Sequence, residues 1–267
     1  MSAIDQLFSE LKQQGRKALM PFVTAGDPDV EFTAALIREL AARGATMCEI
    51  GIPYSDPIAD GPVIQASYTR ALDNHVKLAD IVAMLGEVTS GVTMPIVTMI
   101  SYAIIHRHGL ERYVTRAKAA GVAGAIVPDL LVEEAGPFSE ICRREDFSLI
   151  QLVTPTTPRD RALRIAESST GFLYYVSVTG ITGERQTLPA EVTENVGWLR
   201  AQTDLPICIG FGISQPDHVR VLSPVADGLI VGSAFVRRIA TAADRSRADV
   251  LREIGDFASS LLETLND

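Results

Sequence analysis

Residues 18–29 read ALMPFVTAGDPD. The first eight are apolar apart from Thr24, the composition of a strand buried on both faces. The stretch then continues as TAGDPD, with no G-x-G-x-x-G. A doubly wound sheet usually carries its glycine-rich dinucleotide loop directly after the first strand. Without that loop, a closed barrel of parallel strands is the stronger reading. Seven further strand runs follow: TMCEIGI (46–52), PIVTMI (95–100), GAIVP (124–128), SLIQLV (148–153), FLYYVSV (172–178), PICIGF (206–211) and DGLIVG (227–232). Amphipathic stretches separate them, among them 31–44, 111–121 and 191–203, and the first two end in Gly, where a helix C-cap is expected. Eight buried strands alternating with helices predict an α/β fold, a (β/α)8 TIM barrel formed by residues 1–267 as a single domain. Ile4, Leu7, Phe8 and Leu11 fall at helical spacing, so 2–14 is predicted to be an extra N-terminal helix plugging the barrel bottom. Residues 246–265 are predicted to be a helix that closes the outer layer.

The bulk composition narrows the partners. The net charge of −9 argues against nucleic acid and anionic membrane, since both need a basic surface. Cys48, Cys142 and Cys208 are odd in number and far apart, which describes reduced, buried thiols and neither a disulfide framework nor a metal site. The N-terminus lacks an apolar core of signal-peptide type, and the longest apolar stretch, 91–105, is broken by Pro95. The expectation is a soluble, cytoplasmic protein.

Two acids stand out. Glu49 lies inside an apolar strand, near the end where barrel catalysts gather, and no Lys or Arg occurs between Arg43 and Arg70. A carboxyl with apolar neighbours and no cation has a raised pKa, which suits a general acid or base. Asp60 follows in a loop stiffened by Pro53, Pro57 and Pro62, so it is expected at a fixed position above the mouth, whereas Asp56 reads as a turn residue. Glycine-bearing turns GITG (180–183), GFGIS (210–214) and VGSA (231–234) follow the last three strands, where such barrels commonly bind phosphate through backbone N–H groups at a helix start. Ser233 adds a hydroxyl. Phe22, Tyr102, Tyr174 and Phe211 are aromatic residues placed near the mouth. His106 and His108 are placed in an exposed loop with no carboxylate cluster beside them, so no metal site is expected. No Lys lies within a strand run, so no Schiff-base nucleophile is expected either. The inventory points to acid–base chemistry on a phosphorylated, partly apolar substrate, with no metal and no cofactor.

The stretch EIGIPYSDPIADGPVIQ (49–65), with FVTAGDPD before it and VSVTGITG and GFGIS after it, closely resembles the tryptophan synthase alpha subunit family. The resemblance runs from about residue 4 to residue 265. It implies a (β/α)8 barrel that splits indole-3-glycerol phosphate reversibly into indole and glyceraldehyde 3-phosphate without a cofactor. Glu49 then matches the acid–base residue that protonates indole C3 and takes a proton from the glycerol hydroxyl. Asp60 matches the residue that accepts the indole N–H. Phe22, Ile64, Tyr174 and Phe211 line the indole pocket, Gly183, Gly212, Gly232 and Ser233 hold the phosphate, and Thr182 sits in the loop that closes over the substrate.

The resemblance also implies a beta-subunit partner in an α2β2-type complex. Two loops on that partner face depart from the usual pattern. Ala103 and Ile104 follow Tyr102 where the family commonly reads Asn-Pro, and Leu131 follows Pro128, Asp129 and Leu130 where Pro is usual. Tyr54 and Val63 replace the usual Phe and Thr. A stand-alone lyase releasing free indole is therefore a second reading. A regulatory subunit that binds the phosphoester without turnover is a third, and another phosphosugar isomerase or lyase a fourth. Retention of both acids speaks against the regulatory subunit.

Overall fold

The computed structural model describes residues 1–57, 60–176, 190–210 and 212–267. The strands are β1 Ala18–Thr24, β2 Cys48–Gly51, β3 Ile96–Met99, β4 Val122–Ile126, β5 Ser148–Ile150, β6 Leu152–Val153, β7 Leu173–Val176, β8 Ile207–Gly210 and β9 Gly228–Val231. The helices are α1 Ala3–Gln13, α2 Val30–Ala42, α3 Pro62–Asp73, α4 Leu78–Thr89, α5 Tyr102–His108, α6 Leu110–Ala119, α7 Gly136–Arg144, α8 Arg159–Ser168, α9 Ala190–Arg200, α10 Pro216–Leu222, α11 Ser233–Ala240 and α12 Arg247–Asn266.

All strand pairs are parallel, in the order β5-β4-β3-β2-β1-β9-β8-β7-β6. The two ends of this sheet are halves of one chain segment, so the sheet curls into a nearly closed barrel. The single strand expected over 148–153 is thus two strands. Up to Ile150 the chain pairs with β4, and from Leu152 it pairs with β7. Gln151 stands at the changeover, its carbonyl accepting from the Tyr174 N–H at 3.1 Å. The other seven strands lie where expected, mostly trimmed by a residue or two, while β4 begins two residues earlier at Val122.

Strand periodicity sorts side chains into two cores. Along β1, Ala18, Met20 and Phe22 point into the barrel, while Leu19 and Val23 face the helix layer. The barrel bottom is filled by α1: Ile4, Phe8 and Leu11 join the inner core, and the Phe8 ring lies 5.9 Å from Phe172. Ser2 fixes the start of α1, its hydroxyl accepting from the Asp5 N–H at 3.2 Å while Asp5 accepts from the Ser2 N–H at 2.9 Å. Gly44 and Gly121, one residue past the caps of α2 and α6, hold φ of +85° and +72°, the left-handed conformation that ends a helix there. All three cysteines are buried and free. His106 and His108 are exposed as expected, but they close α5 and do not lie in a loop. The Asp129 carboxylate accounts for this helix, accepting from the Ser101 hydroxyl and the Tyr102 N–H at its start, each at 2.7 Å. Among the described residues, no helix is long and apolar enough to cross a membrane.

Candidate active site

At the mouth end of the barrel, β2 carries Glu49 on its inner face. Its register partners are Phe22 on β1 and Val97 on β3. The residue is 1% exposed, and its Oε2 has no hydrogen-bond partner among the described residues. Burial, with a smaller push from the Asp60 charge, raises its carboxyl to about 8. A buried carboxyl with an idle oxygen is expensive to keep unless it is used.

Asp60 stands two residues before α3, which opens on Gly61 as N-cap and Pro62 as its first residue. Its N–H donates to the Pro57 carbonyl at 3.1 Å. The Gln65 side chain donates to the carbonyls of Asp60 and Pro57 at 2.8 and 3.2 Å. The Asp60 backbone is therefore tied to its loop and its helix together, as the three prolines suggested. Burial alone raises the Asp60 carboxyl to about 6. The two acids are thus pushed apart: near pH 7, Glu49 holds its proton and Asp60 is ionised. One acid and one fixed anion in one apolar mouth can protonate a ring carbon and stabilise the resulting positive charge. Asp56 is exposed and accepts from the Ser55 hydroxyl at 2.7 Å, a local contact that fits a turn residue.

Around them, Phe22, Ile64 and Tyr174 belong to the inner core. Gly51, two residues past Glu49 on the same face, has no room for a side chain: a Cβ there would lie 2.4 Å from Phe22 Cζ and 2.9 Å from the Tyr68 hydroxyl. A Cβ on Gly232 would sit 3.8 Å from Phe22 Cβ and 3.9 Å from Ile64 Cδ1, so the end of β9 faces the same space. Gly232 is the N-cap of α11, and Ser233 its first residue. The opening N–H groups of that helix have no intrahelical acceptor and suit an anion. Gly212, with φ +65°, opens the loop between β8 and α10.

Of the site residues expected from sequence, the described structure gathers Glu49, Asp60, Phe22, Ile64, Tyr174 and Gly232 around the mouth, with Ser233 opening the adjoining helix. Tyr102 is different. Its ring packs on His106 and Phe138, at 6.0 and 6.5 Å, in the helix layer. Thr182, Gly183 and Phe211 lie outside the described residues. Sequence reasoning missed two groups. Tyr68, buried on α3, follows Ile64 by one helical turn, a spacing visible once 62–73 is recognised as a helix. His218, 5% exposed on α10, accepts from the Ser214 N–H at 3.3 Å through Nδ1 and so braces the loop that Gly212 opens. An apolar groove of about 530 Å3 between α4 and α6, lined by Leu78, Val82, Gly86 and Ala117, shares none of these residues and contains no acid.

With this geometry in place, comparison with known proteins is specific. A family profile described as tryptophan synthase alpha chain matches residues 8–262. The tryptophan synthase alpha chain of Rhodopirellula baltica is 58% identical and covers 100% of this chain and 99% of its own. Among solved structures, tryptophan synthase subunit alpha from Legionella pneumophila superposes with a TM-score of 0.90 at 34% identity, covering 99% of this chain and 98% of that one. A chain of the tryptophan synthase complex from Pyrococcus furiosus does so with a TM-score of 0.83 at 35% identity, covering 93% and 99%.

Proposed function

The chain belongs to the tryptophan synthase alpha chain family, and from that premise we propose that it cleaves indole-3-glycerol phosphate into indole and glyceraldehyde 3-phosphate in the biosynthesis of tryptophan. The carrying observation is a pair of acids in one apolar mouth: Glu49, 1% exposed with an Oε2 that has no partner among the described residues, and Asp60 just before α3, both carboxyls raised by burial. Protonated Glu49 delivers its proton to indole C3. The ring nitrogen takes up the positive charge, and the ionised Asp60 accepts its N–H. The Glu49 carboxylate then takes the proton of the glycerol hydroxyl next to the ring as the C–C bond breaks. Those bonding electrons return to the indole ring, and the hydroxyl carbon becomes the aldehyde. Glu49 ends as it began, protonated, so the cycle closes without a cofactor.

Phe22, Ile64 and Tyr174 fit the flat apolar ring, and Gly212, Gly232 and Ser233 supply N–H and hydroxyl donors for the phosphate. Thr182, Gly183 and Phe211 complete the set by family resemblance. Tyr102, at the start of α5, is better assigned to the partner-facing surface. A single 267-residue barrel carries the whole site, working in the cytoplasm as one subunit of a complex with a tryptophan synthase beta subunit. The stand-alone lyase remains the second reading, on the strength of Ala103, Ile104 and Leu131.

The test is indole release by the purified protein from indole-3-glycerol phosphate, alone and with a beta subunit. Turnover is expected, with kcat/KM rising through about pH 6 as Asp60 ionises and falling through about pH 8 as free Glu49 loses its proton. Glu49→Gln abolishes it. Acceleration by the beta subunit supports the complex, whereas full speed without one supports the stand-alone enzyme. No turnover under either condition would reject the lyase.

A further inference from the structure

The loop from β8 to α10 carries Gly212, one of the residues assigned to the phosphate, and its path is fixed just downstream. Gly212 holds φ +65° and has no side chain of its own to anchor it. Ile213, the next residue, is 2% exposed and joins the core of the helix layer. The Ser214 N–H then donates to Nδ1 of His218 at 3.3 Å. His218 is itself 5% exposed, on the face of α10 that buries Val219 and Leu222.

The start of α10 explains why a histidine does this. Its N-cap is Gln215, whose side chain makes no cap hydrogen bond, and Pro216 follows as its first residue. His218 is its third residue, and from there the ring reaches back past the cap to the chain that enters the helix. In a capping box, a Glu or Gln at that third position serves the N–H of the N-cap. Here an imidazole serves the N–H one residue further out. Because Nδ1 accepts, the ring proton sits on Nε2, facing the Gln215 side-chain amide at 3.1 Å, a group whose oxygen and nitrogen exchange places by half a turn. Both ring nitrogens are thus engaged within the loop and its cap, and the acid–base steps use neither.

We propose that His218 is a positioning residue for phosphate binding: by holding the Ser214 N–H, it locks the loop in the shape that presents Gly212 to the phosphate of the substrate. The proposal rests on the reading of Gly212 as a phosphate residue, and on nothing in the acid–base steps. Glycine loses more conformational freedom on ordering than any other residue. A loop that wanders when empty must be ordered each time the anion binds, which weakens binding, and a loop already held avoids that loss. The anchors at Ile213 and Ser214 hold it immediately beside the glycine. The same bond takes the Ser214 N–H away from the anion, so the phosphate is left to other donors.

His218→Phe and His218→Asn test this together. Phenylalanine keeps a buried ring and loses the acceptor, whereas asparagine loses the ring and keeps an oxygen near the place of Nδ1. Affinity for indole-3-propanol phosphate, which keeps ring and phosphate but lacks both hydroxyls, is measured by isothermal titration on the wild type and both variants. The expected Kd rises about 5- to 10-fold in His218→Phe, the loss of one neutral hydrogen bond, and stays within about 2-fold in His218→Asn. In turnover of indole-3-glycerol phosphate, KM of His218→Phe rises likewise while kcat is little changed, because the lock acts on binding and not on the acids. A merely structural role predicts the opposite order, since asparagine opens a cavity that phenylalanine fills, and thermal unfolding of the two variants reports that order separately. Equal affinities in all three proteins would overturn the proposal. So would an asparagine variant as weak as the phenylalanine one, or a fall in kcat with Kd unmoved. Binding without turnover in the wild type would reject the lyase reading, while the three affinities would still decide the role of His218. No binding by the wild type would reject the phosphate site and this proposal with it.

Discussion

Glu49 concentrates the conflict between stability and use in one side chain. In the folded protein its carboxyl is raised to about 8, against an ordinary unfolded value of ~4.3. Between those values the native state binds more protons than the unfolded one, so stability is fully present below the lower value and is lost as pH rises through the upper one. Glu49→Gln removes this titration, while Asp60 titrates in both proteins and largely cancels. The variant is therefore expected to gain on the wild type from pH 5 to pH 8. The gap should widen by at least ~1 kcal/mol, which for a chain of this size is roughly 2–4 °C in the unfolding midpoint. Calorimetry at the two pH values checks it. A gap that stays constant would mean that Glu49 is not held neutral by burial. A variant both more stable and inactive is the pattern expected where an uncompensated buried group is kept for chemistry.

At the scale of elements, α3 matters most, because Asp60 precedes it and Ile64 and Tyr68 ride on it. The face beside them is bound to β1 and the loop that follows. The hydroxyls of Ser67 and Thr24 lie 2.6 Å apart. Arg70 grips both oxygens of Asp27 at 2.9 and 2.6 Å, and Asn74 donates to the Pro28 carbonyl at 2.6 Å. Ser67, Arg70 and the C-cap residue Asn74 recur at helical spacing, so one face of the helix anchors while the adjoining face presents the site. Asp27 is 1% exposed, and without Arg70 it would be a buried acid with no cation. Arg70→Met is expected to cost ~2–3 kcal/mol, toward the low end for a broken pair because Arg70 itself reaches solvent, and to raise KM as α3 loosens. Asp27→Asn with Arg70→Met should recover more than half of the lost stability. Denaturant unfolding of the single and double variants decides this, and an unchanged single variant would show that the pair only decorates the loop.

Across the whole molecule, what could be read from the sequence follows what burial dictates locally. The strands show as apolar runs because both faces are covered, and Glu49 shows because an acid inside such a run has no cheap explanation. The break at Gln151 does not show, since it arises only where the curled sheet meets itself. Tyr68 and Tyr102 were equally hidden, because which layer an aromatic joins depends on helix orientation and not on its neighbours in sequence. The partner surface is a tertiary property of the same kind. Asp129 binds the start of α5 to the loop after β4, so Ala103 and Ile104 on α5 and Leu131 on that loop are joined into one surface at the mouth. Among the described residues the exposed large apolar side chains are Met1 and Leu131, the latter 56% exposed. Covering one leucine in an interface is worth ~1.5–3 kcal/mol, or roughly 10- to 100-fold in Kd. Leu131→Asp is therefore expected to weaken binding of the cognate beta subunit by at least that lower factor. Its unfolding midpoint, and its turnover without a partner, should match the wild type, because Leu131 touches neither the inner core nor the two acids. Isothermal titration with the beta subunit gives the answer. Equal affinity for variant and wild type would place the partner elsewhere on the barrel, and no binding by either would make the diverged loops the surface of an enzyme that works alone.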